Sequence, residues 1–222
     1  MSTELHQNKK LRAFAILWIV LVHFFGIIGI WLGQIELIPN WFLPATPLTI
    51  LVSAIVVLLR YEKFKSTRVM AFVVIAVLSF LIELYGVKSG NLFGTYTYGN
   101  NLGWKIFDVP IIIGVNWAVL IMVAQQLTTH YIGINGRFFS ALSVATIMTT
   151  FDLLLEVLAP QLDFWSFTHM NYAPVENFVA WFAVSFCFGL FSYSHFRNQN
   201  RTAVLYGIAQ LVFFMVLGLL II

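Results

Sequence analysis

Two acidic residues stand four positions apart inside an apolar run of the sequence. They are Asp152 and Glu156 in MTTFDLLLEVLAP, residues 148–160, and residues four apart share one face of a helix. A carboxylate in hydrocarbon costs about 2.5–3.5 kcal/mol even on the lenient insertion scales, so such residues normally face a protein interior and have a function. A protonated carboxyl group in an apolar cavity is a proton donor. The spacing therefore predicts acid chemistry on one face of a membrane helix.

The composition is that of an integral membrane protein. Of the 222 residues, 60% are hydrophobic and 9% are charged, and the mean hydropathy is +0.90, far from the values of a soluble domain. The single cysteine, Cys187, cannot form an internal disulfide, and no Cys/His spacing predicts a metal site. The bases are scattered over short loops, which membrane topology explains better than nucleic-acid binding. No metal and no cofactor are expected.

Apolar runs of about bilayer length predict an all-α protein with about seven transmembrane helices. The first run is predicted to be a retained span, because it is too long for a signal peptide and no cleavage site follows it. No internal repeat appears, so residues 1–222 are predicted to form a single polytopic membrane domain. The second run is the shortest. The predicted spans are roughly 11–33, 47–61, 69–87, 106–127, 138–159, 175–196 and 202–222.

The distribution of Lys and Arg predicts the orientation of these spans. Cytoplasmic loops of membrane proteins carry an excess of Lys and Arg. With a cytoplasmic N-terminus, ten bases lie inside and only Lys88 and Lys105 lie outside. The protein is therefore predicted to cross the inner (cytoplasmic) membrane, with its C-terminus outside. The ten inner bases are Lys9, Lys10, Arg12, Arg60, Lys63, Lys65, Arg68, Arg137, Arg197 and Arg201.

This orientation brings acids from several spans to the outer leaflet. Glu83 lies near the outer end of the third span, Asp108 lies near the outer start of the fourth and Glu176 lies at the outer start of the sixth, while Asp152 and Glu156 lie in the outer half of the fifth. A convergence of acids predicts a proton-donating site. For Asp108 and Glu176 the alternative is a headgroup position near a helix N-terminus, where the helix dipole favours negative charge.

Two predicted outer loops carry aromatic residues beside these acids. One contains Phe93, Tyr96 and Tyr98 among several glycines, and the other contains Trp165, with Trp181 in the span that follows. Interfacial anchoring is the common role of such rings, but aromatic faces beside a proton donor also stabilise a carbocation. Deeper in the spans, Asn116 next to Trp117, and Asn177, are candidates to position water or to hydrogen-bond between helices.

The ordered set of these residues resembles the membrane carotenoid hydratase family of the CruF type, which includes bisanhydrobacterioruberin hydratase-like proteins of carotenoid biosynthesis. The resemblance covers about residues 80–182, roughly half of the chain. Its pieces are Glu83, Gly86 and Gly90, then FGTYTYG, DVPIIIGVNW, FDLLLE, FW and PVENFVAWF.

The resemblance implies an enzyme that adds water to the terminal 1,2 double bond of an acyclic carotenoid end group, with lycopene-like, monocyclic or archaeal-type carotenoids as substrates. An acid would protonate carbon 2, a tertiary carbocation would form at carbon 1, and water would attack it. On this interpretation Asp152 or Glu156 is the proton donor, and Glu83 and Asp108 shape the proton network or activate water. The substrate-binding residues would be Phe93, Tyr96, Tyr98, Asn116, Trp117, Trp165, Glu176, Asn177 and Trp181. The carotenoid and membrane lipid are the expected partners, and the sequence does not give an oligomeric state.

One residue departs from the hydratase pattern. Glu176 in PVEN is reminiscent of the small membrane lycopene cyclases, in which the same cation is quenched by ring closure. A cyclase therefore remains an alternative. So does a proton-coupled transporter or a carotenoid-binding scaffold, because intramembrane acids also serve proton relays.

Two further classes fit the sequence poorly. A magnesium-dependent prenyltransferase would need a second acidic motif and several bases for the diphosphate. A retinal protein would need a lysine within a span, and the seventh span has none.

Overall fold

The computed structural model describes residues 2–60, 65–168 and 172–222, with side chains from residue 10 onward. Lys63 lies outside these ranges, and the side chain of Lys9 is also outside the described part. Within the described ranges the chain forms seven α-helices, as predicted. They are α1 Ser2–Gln34, α2 Thr46–Leu59, α3 Ser66–Ser89, α4 Ile112–Leu127, α5 Arg137–Leu158, α6 Val175–Phe196 and α7 Arg201–Ile221, with a π-helical turn at Thr128–Ile132.

Six of these helices are long and apolar enough to cross a membrane, and α2 is a shorter apolar helix of 14 residues. Pro47 at the start of α2 packs against Gly103 in the α3–α4 connector. At the other end of α2, the Val57 carbonyl accepts a hydrogen bond from Asn200 Nδ2 at 2.8 Å. Asn200 directly precedes α7, so the short helix still runs between the two ends of the bundle.

The connectors alternate between those two ends. At one end, called here the acid end, Gln34 Nε2 of α1 donates to the Gln161 carbonyl of the α5–α6 connector at 3.0 Å. At the other, called here the basic end, a ring nitrogen of His130 lies 2.7 Å from the Arg197 carbonyl. Eight of the ten bases assigned to the cytoplasm have described side chains around the basic end: Lys10, Arg12, Arg60, Lys65, Arg68, Arg137, Arg197 and Arg201.

Short strands join the connectors at the acid end. Strand β1, Tyr96–Tyr98, pairs antiparallel with β4, Trp165–Phe167, so that Tyr96 lies opposite Phe167 and Tyr98 lies opposite Trp165. This ladder fastens the α3–α4 connector to the α5–α6 connector. It fixes the aromatic side chains of both loops relative to the helix ends below them.

The fourth span begins later than predicted. Lys105–Ile106 (β2) and Val109–Pro110 (β3) form a hairpin, and the turn residues Phe107 and Asp108 have φ values of 50° and 72°. Two consecutive left-handed residues give the tight turn that suits a two-residue hairpin loop. Residues 106–111 therefore belong to the hairpin and its exit, and α4 starts at Ile112.

Helix α4 is the central helix of the bundle. In its most apolar window 78% of the residues are buried, against 28–39% in the five other long helices. It packs against α2, α3, α5, α6 and α7. A Cβ on Gly114 would lie 2.2 Å from the Ala76 carbonyl oxygen, so α3 and α4 can approach this closely only because residue 114 is glycine. The close approach brings Trp117 of α4 beside Glu83 of α3.

Candidate active site

Asp152 and Glu156 are joined by a single amide group. Asp152 is fully buried, with 0% exposure, and its Oδ2 accepts a hydrogen bond from Asn177 Nδ2 at 2.8 Å. The same Nδ2 donates to Glu156 Oε1 at 3.1 Å. The acids lie one turn apart on α5 and the amide comes from the first turns of α6. One NH₂ group therefore holds the two carboxyl groups side by side.

The other oxygen of Asp152 differs from all other carboxyl oxygens of this cluster. Asp152 Oδ1 is buried, and within the described part of the chain it has no hydrogen-bond partner. A buried carboxylate oxygen without a donor is strongly disfavoured. Oδ1 is therefore suited to carry a proton, or to face a water molecule or a ligand.

Glu156 is held from its other side by a loop residue. Its Oε2 accepts a hydrogen bond from Trp165 Nε1 at 3.1 Å. Trp165 lies on β4, so the strand pairing at the acid end also orients the Glu156 side chain. Both oxygens of Glu156 thus accept hydrogen bonds, which is the arrangement of an ionised carboxylate.

Glu83 lies in a cradle of three donors. Its Oε2 accepts from the hydroxyl groups of Tyr96 at 2.6 Å and Tyr98 at 2.7 Å, and its Oε1 accepts from Trp117 Nε1 at 2.9 Å. Burial and then the neighbouring Glu83 charge raise the pKa of both tyrosines well above the ordinary value, so both hydroxyls stay protonated and donate. Three donors to one carboxyl group favour its anionic form.

Aromatic rings enclose the space between Glu83 and Glu156. Trp117 and Trp181 are stacked, with ring centroids 3.9 Å apart and an interplanar angle of 20°. A small cavity of about 20 Å³ lies among these groups, and a water molecule needs only ~10–15 Å³ measured in this way. Its lining residues are Glu83, Phe93, Tyr96, Tyr98, Ile113, Glu156, Trp165, Phe167, Asn177 and Trp181.

A much larger cavity of about 430 Å³ lies on the other side of Ile113 and Trp165, which line both spaces. Its walls come from α1, α2, α4, α5 and α7 and are mainly apolar. The volume is in the range of small-molecule sites, which combine apolar walls with a few polar groups. The polar side chains of its wall include His23, Asn116, Tyr206 and Gln210.

The structure brings most of the predicted site residues together. Ten of them form one cluster at the acid end: Glu83, Phe93, Tyr96, Tyr98, Trp117, Asp152, Glu156, Trp165, Asn177 and Trp181. Asn116 is separate from that cluster, since it lines the large cavity.

Two predicted acids lie outside the cluster. The Asp108 side chain is 79% exposed at the tip of the β2–β3 hairpin and forms an ion pair with Lys88 at 2.8 Å. The hydrogen bond and the charge of Lys88 hold the pKa of Asp108 below its ordinary value. Glu176 is exposed in the first turn of α6, where the helix dipole favours a negative charge.

Several residues of the large cavity were not predicted. They include His23 and Gln210. His23 and Gln210 each interrupt an apolar run as a lone polar residue, which is a detectable signal, although it does not give the partner helix. Among the described residues, no group of three or more His, Cys, Asp or Glu side chains is placed to hold a metal ion.

These features define a multi-pass helical membrane protein with buried acids at one end of its bundle and a large apolar cavity beside them. The sequence profile of the family described as carotenoid biosynthesis protein matches residues 45–222. The chain therefore belongs to that family, in agreement with the resemblance stated from its residues.

One curated relative adds detail. The chain is 29% identical over 117 residues to a protein of Haloarcula japonica named bisanhydrobacterioruberin hydratase. The alignment covers 50% of this chain and 40% of that relative, so the chain matches less than half the length of the relative. No solved structure gave a significant match.

Proposed function

We propose that this protein is a carotenoid hydratase, which adds water across the terminal 1,2 double bond of an acyclic carotenoid end group. The observation that carries the proposal is the buried acid pair Asp152 and Glu156, with one unpartnered carboxyl oxygen. Membership of a carotenoid biosynthesis family and similarity to a protein named as a hydratase support the choice of substrate and reaction.

The acid pair supplies the proton. Two carboxyl groups held by one amide cannot easily both be ionised, so the pair shares one proton. Both oxygens of Glu156 and one oxygen of Asp152 accept hydrogen bonds. The remaining oxygen, Asp152 Oδ1, is left for the proton, and Asp152 is the general acid.

The reaction begins when the π electrons of the 1,2 double bond take that proton at carbon 2. A tertiary carbocation remains at carbon 1. The stacked Trp117 and Trp181 and the neighbouring tyrosines offer aromatic faces that stabilise positive charge. Glu83 accepts three hydrogen bonds, and in its anionic form it would lower the energy of the cation further.

Water completes the addition. A water molecule bound in the small cavity would lie among Glu156, Asn177 and Glu83, which line it, and its oxygen would form the new bond to carbon 1. The proton that this water loses returns to the acid pair, so the net reaction is alkene plus water giving a tertiary alcohol. No electrons are gained or lost overall, and the reaction requires no redox cofactor.

The large cavity supplies the binding site for the polyene. Its apolar walls suit the hydrocarbon chain of the polyene. Ile113 and Trp165 line both this cavity and the small cavity. The end group would pass between these two side chains to reach the acids. Binding in this cavity would bring a membrane-dissolved substrate close to the buried acids.

Expression in a bacterium that makes lycopene tests the proposal, with pigment masses measured by mass spectrometry. A mass gain of one water per modified end is expected, and it should be absent when Asp152→Asn is expressed at the same level. A pigment of unchanged mass but altered absorption would instead identify a cyclase. Unaltered lycopene beside abundant folded protein would refute both reactions.

A further inference from the structure

We infer that the large cavity recognises a hydroxyl group on the carotenoid that it encloses. The inference rests on the proposed function, because it takes a carotenoid as the occupant. The groups that would hold the hydroxyl are His23 of α1 and Tyr206 of α7. Both line the cavity, both are buried, at 8% and 1% exposure, and neither belongs to the acid cluster.

His23 offers a hydrogen-bond acceptor to the cavity. Its Nδ1 lies 2.7 Å from the Ile19 carbonyl oxygen. A carbonyl oxygen only accepts, so Nδ1 carries the proton of the neutral ring and Nε2 carries the lone pair. Nε2 makes no hydrogen bond to any described residue. An acceptor in an apolar wall therefore lacks a donor.

Tyr206 offers the complementary donor. Its hydroxyl oxygen accepts a hydrogen bond from Gln210 Nε2 at 2.9 Å. That bond uses a lone pair and leaves the O–H proton free, and this proton has no acceptor among the described residues. Gln210 thus orients the phenol, and the free proton is available to a ligand.

The two residues lie side by side in the wall of the large cavity. The rings of His23 and Tyr206 meet edge to face, with centroids 5.7 Å apart, and Phe213 packs against the other side of His23 with a centroid distance of 5.6 Å. An alcohol can donate to His23 Nε2 and accept from Tyr206 at the same time.

Other carotenoid groups match this pair less well. A keto oxygen can only accept, and a hydrocarbon chain would leave both polar groups without partners, which buried sites disfavour. The pair therefore selects carotenoid alcohols over ketones and over hydrocarbons. This selection is independent of the acids that carry out the reaction.

A binding experiment separates recognition from catalysis. The two probes are 1,2,1′,2′-tetrahydrolycopene and its 1,1′-dihydroxy derivative, which differ only in their hydroxyl groups and lack the double bond that would be hydrated. Trp18, Trp41 and Trp165 line the cavity, so quenching of tryptophan emission by the polyene reports binding to the purified full chain in nanodiscs. The alcohol should bind roughly tenfold more tightly than the hydrocarbon, the ratio expected for about one satisfied hydrogen bond.

Two variants test whether His23 and Tyr206 cause the preference for the alcohol probe. In Tyr206→Phe, and independently in His23→Leu, the two probes should bind within about twofold of each other, while affinity for the hydrocarbon is retained. Tyr85→Phe, at an exposed position on α3, is the matched control and should keep the full preference. If His23→Leu does not fold, Tyr206→Phe alone still decides.

Three results would overturn the inference: equal affinities in the wild type, a preference that survives both variants, or no quenching by either probe. The pigment experiment tests the proposed hydratase activity, which is a separate question. Hydration of lycopene without a preference for the alcohol probe would refute only the inferred hydroxyl recognition. A preference for the alcohol probe without any hydration would refute only the proposed hydratase activity.

Discussion

Asp152 and Asp108 have the same side chain in opposite surroundings. Asp152 has 0% exposure, beside a second acid, whereas Asp108 is 79% exposed beside a lysine. Both lie within or next to apolar stretches of the sequence, so hydropathy alone does not show which aspartate is buried and which is exposed. The difference arises because Asp108 sits in a turn with positive φ, whereas Asp152 faces α6 in the interior.

Removing the acidic proton should abolish activity while leaving the fold in place. Asp152→Asn keeps an oxygen for the hydrogen bond from Asn177 but has no acidic proton, so turnover should fall at least about 100-fold, the lower range for a general acid. Glu36→Gln changes an exposed acid and should retain full activity. The rate of pigment hydration in membranes, normalised to protein level, provides the measurement. Wild-type turnover by Asp152→Asn would move the donor role to Glu156.

Glu83 should contribute to stability as well as to charge. In Glu83→Gln, the amide NH₂ must face at least one of the three donors that now bind the carboxylate. A buried donor left without an acceptor costs about 1–3 kcal/mol, so thermal unfolding in detergent should begin several degrees lower. Glu176→Gln, at an exposed position, should unfold like the wild type. Equal unfolding midpoints for both variants would show that the three hydrogen bonds to Glu83 do not stabilise the fold.

At the scale of elements, the β1–β4 ladder decides where the aromatic loops lie. It positions Tyr96 and Tyr98 over Glu83 and Trp165 over Glu156. Gly99, directly after β1, permits this approach, because a Cβ there would lie 2.2 Å from the Asp163 carbonyl oxygen. The ladder therefore links a backbone contact to the geometry of both carboxylates.

Adding a single methyl group at Gly99 should disturb the site from a distance. In Gly99→Ala the loop backbones must separate, so both the unfolding temperature and the hydration rate should fall. The rate should fall at least about tenfold, because small displacements of catalytic groups slow a reaction strongly. Gly218→Ala is the matched control, because nothing lies within 4 Å of its Cβ position and alanine favours a helix. Unchanged activity in Gly99→Ala would show that the ladder does not position the acids.

The sequence predicted the helices well and the loops poorly, for a physical reason. Apolar runs set the helix bounds, so α5 at Arg137–Leu158 and α6 at Val175–Phe196 agree with the predicted 138–159 and 175–196. The strand pairing of Tyr96–Tyr98 with Trp165–Phe167 joins segments about 70 positions apart, and neither segment alone carries a sign of its partner. Periodicity within a helix likewise placed Asp152 and Glu156 on one face, but only packing could show which oxygen lacks a donor.

At the scale of the whole molecule, the separation of bases and acids predicts the orientation in the membrane. Lys88 and Lys105 are the described bases at the acid end, and the basic end carries most of the others. The positive-inside rule therefore predicts that the basic end lies in the cytoplasm and that the acid centre lies in the outer half of the membrane.

Cysteine labelling in intact bacterial cells checks this orientation. In a Cys187→Ser background, Asn91→Cys at the acid end should react with a membrane-impermeant maleimide. Asn135→Cys at the basic end should react only after the cells are permeabilised. Both positions are exposed in the described structure. The reverse labelling pattern would invert the topology and place the acid centre on the cytoplasmic side.

The short helix α2 also sets a condition on the surrounding lipid. Its 14 residues span about 21 Å at 1.5 Å per residue, whereas the hydrocarbon layer of a bilayer is about 30 Å thick. Bilayer thinning is one way in which a membrane accommodates a short span, and we expect it along this flank. Because α2 forms part of the large cavity's wall, the thinner bilayer is expected next to that cavity. Sterol-like or long-chain lipids that stiffen and thicken the membrane should consequently oppose this protein's insertion, while thin, fluid bilayers should favour it.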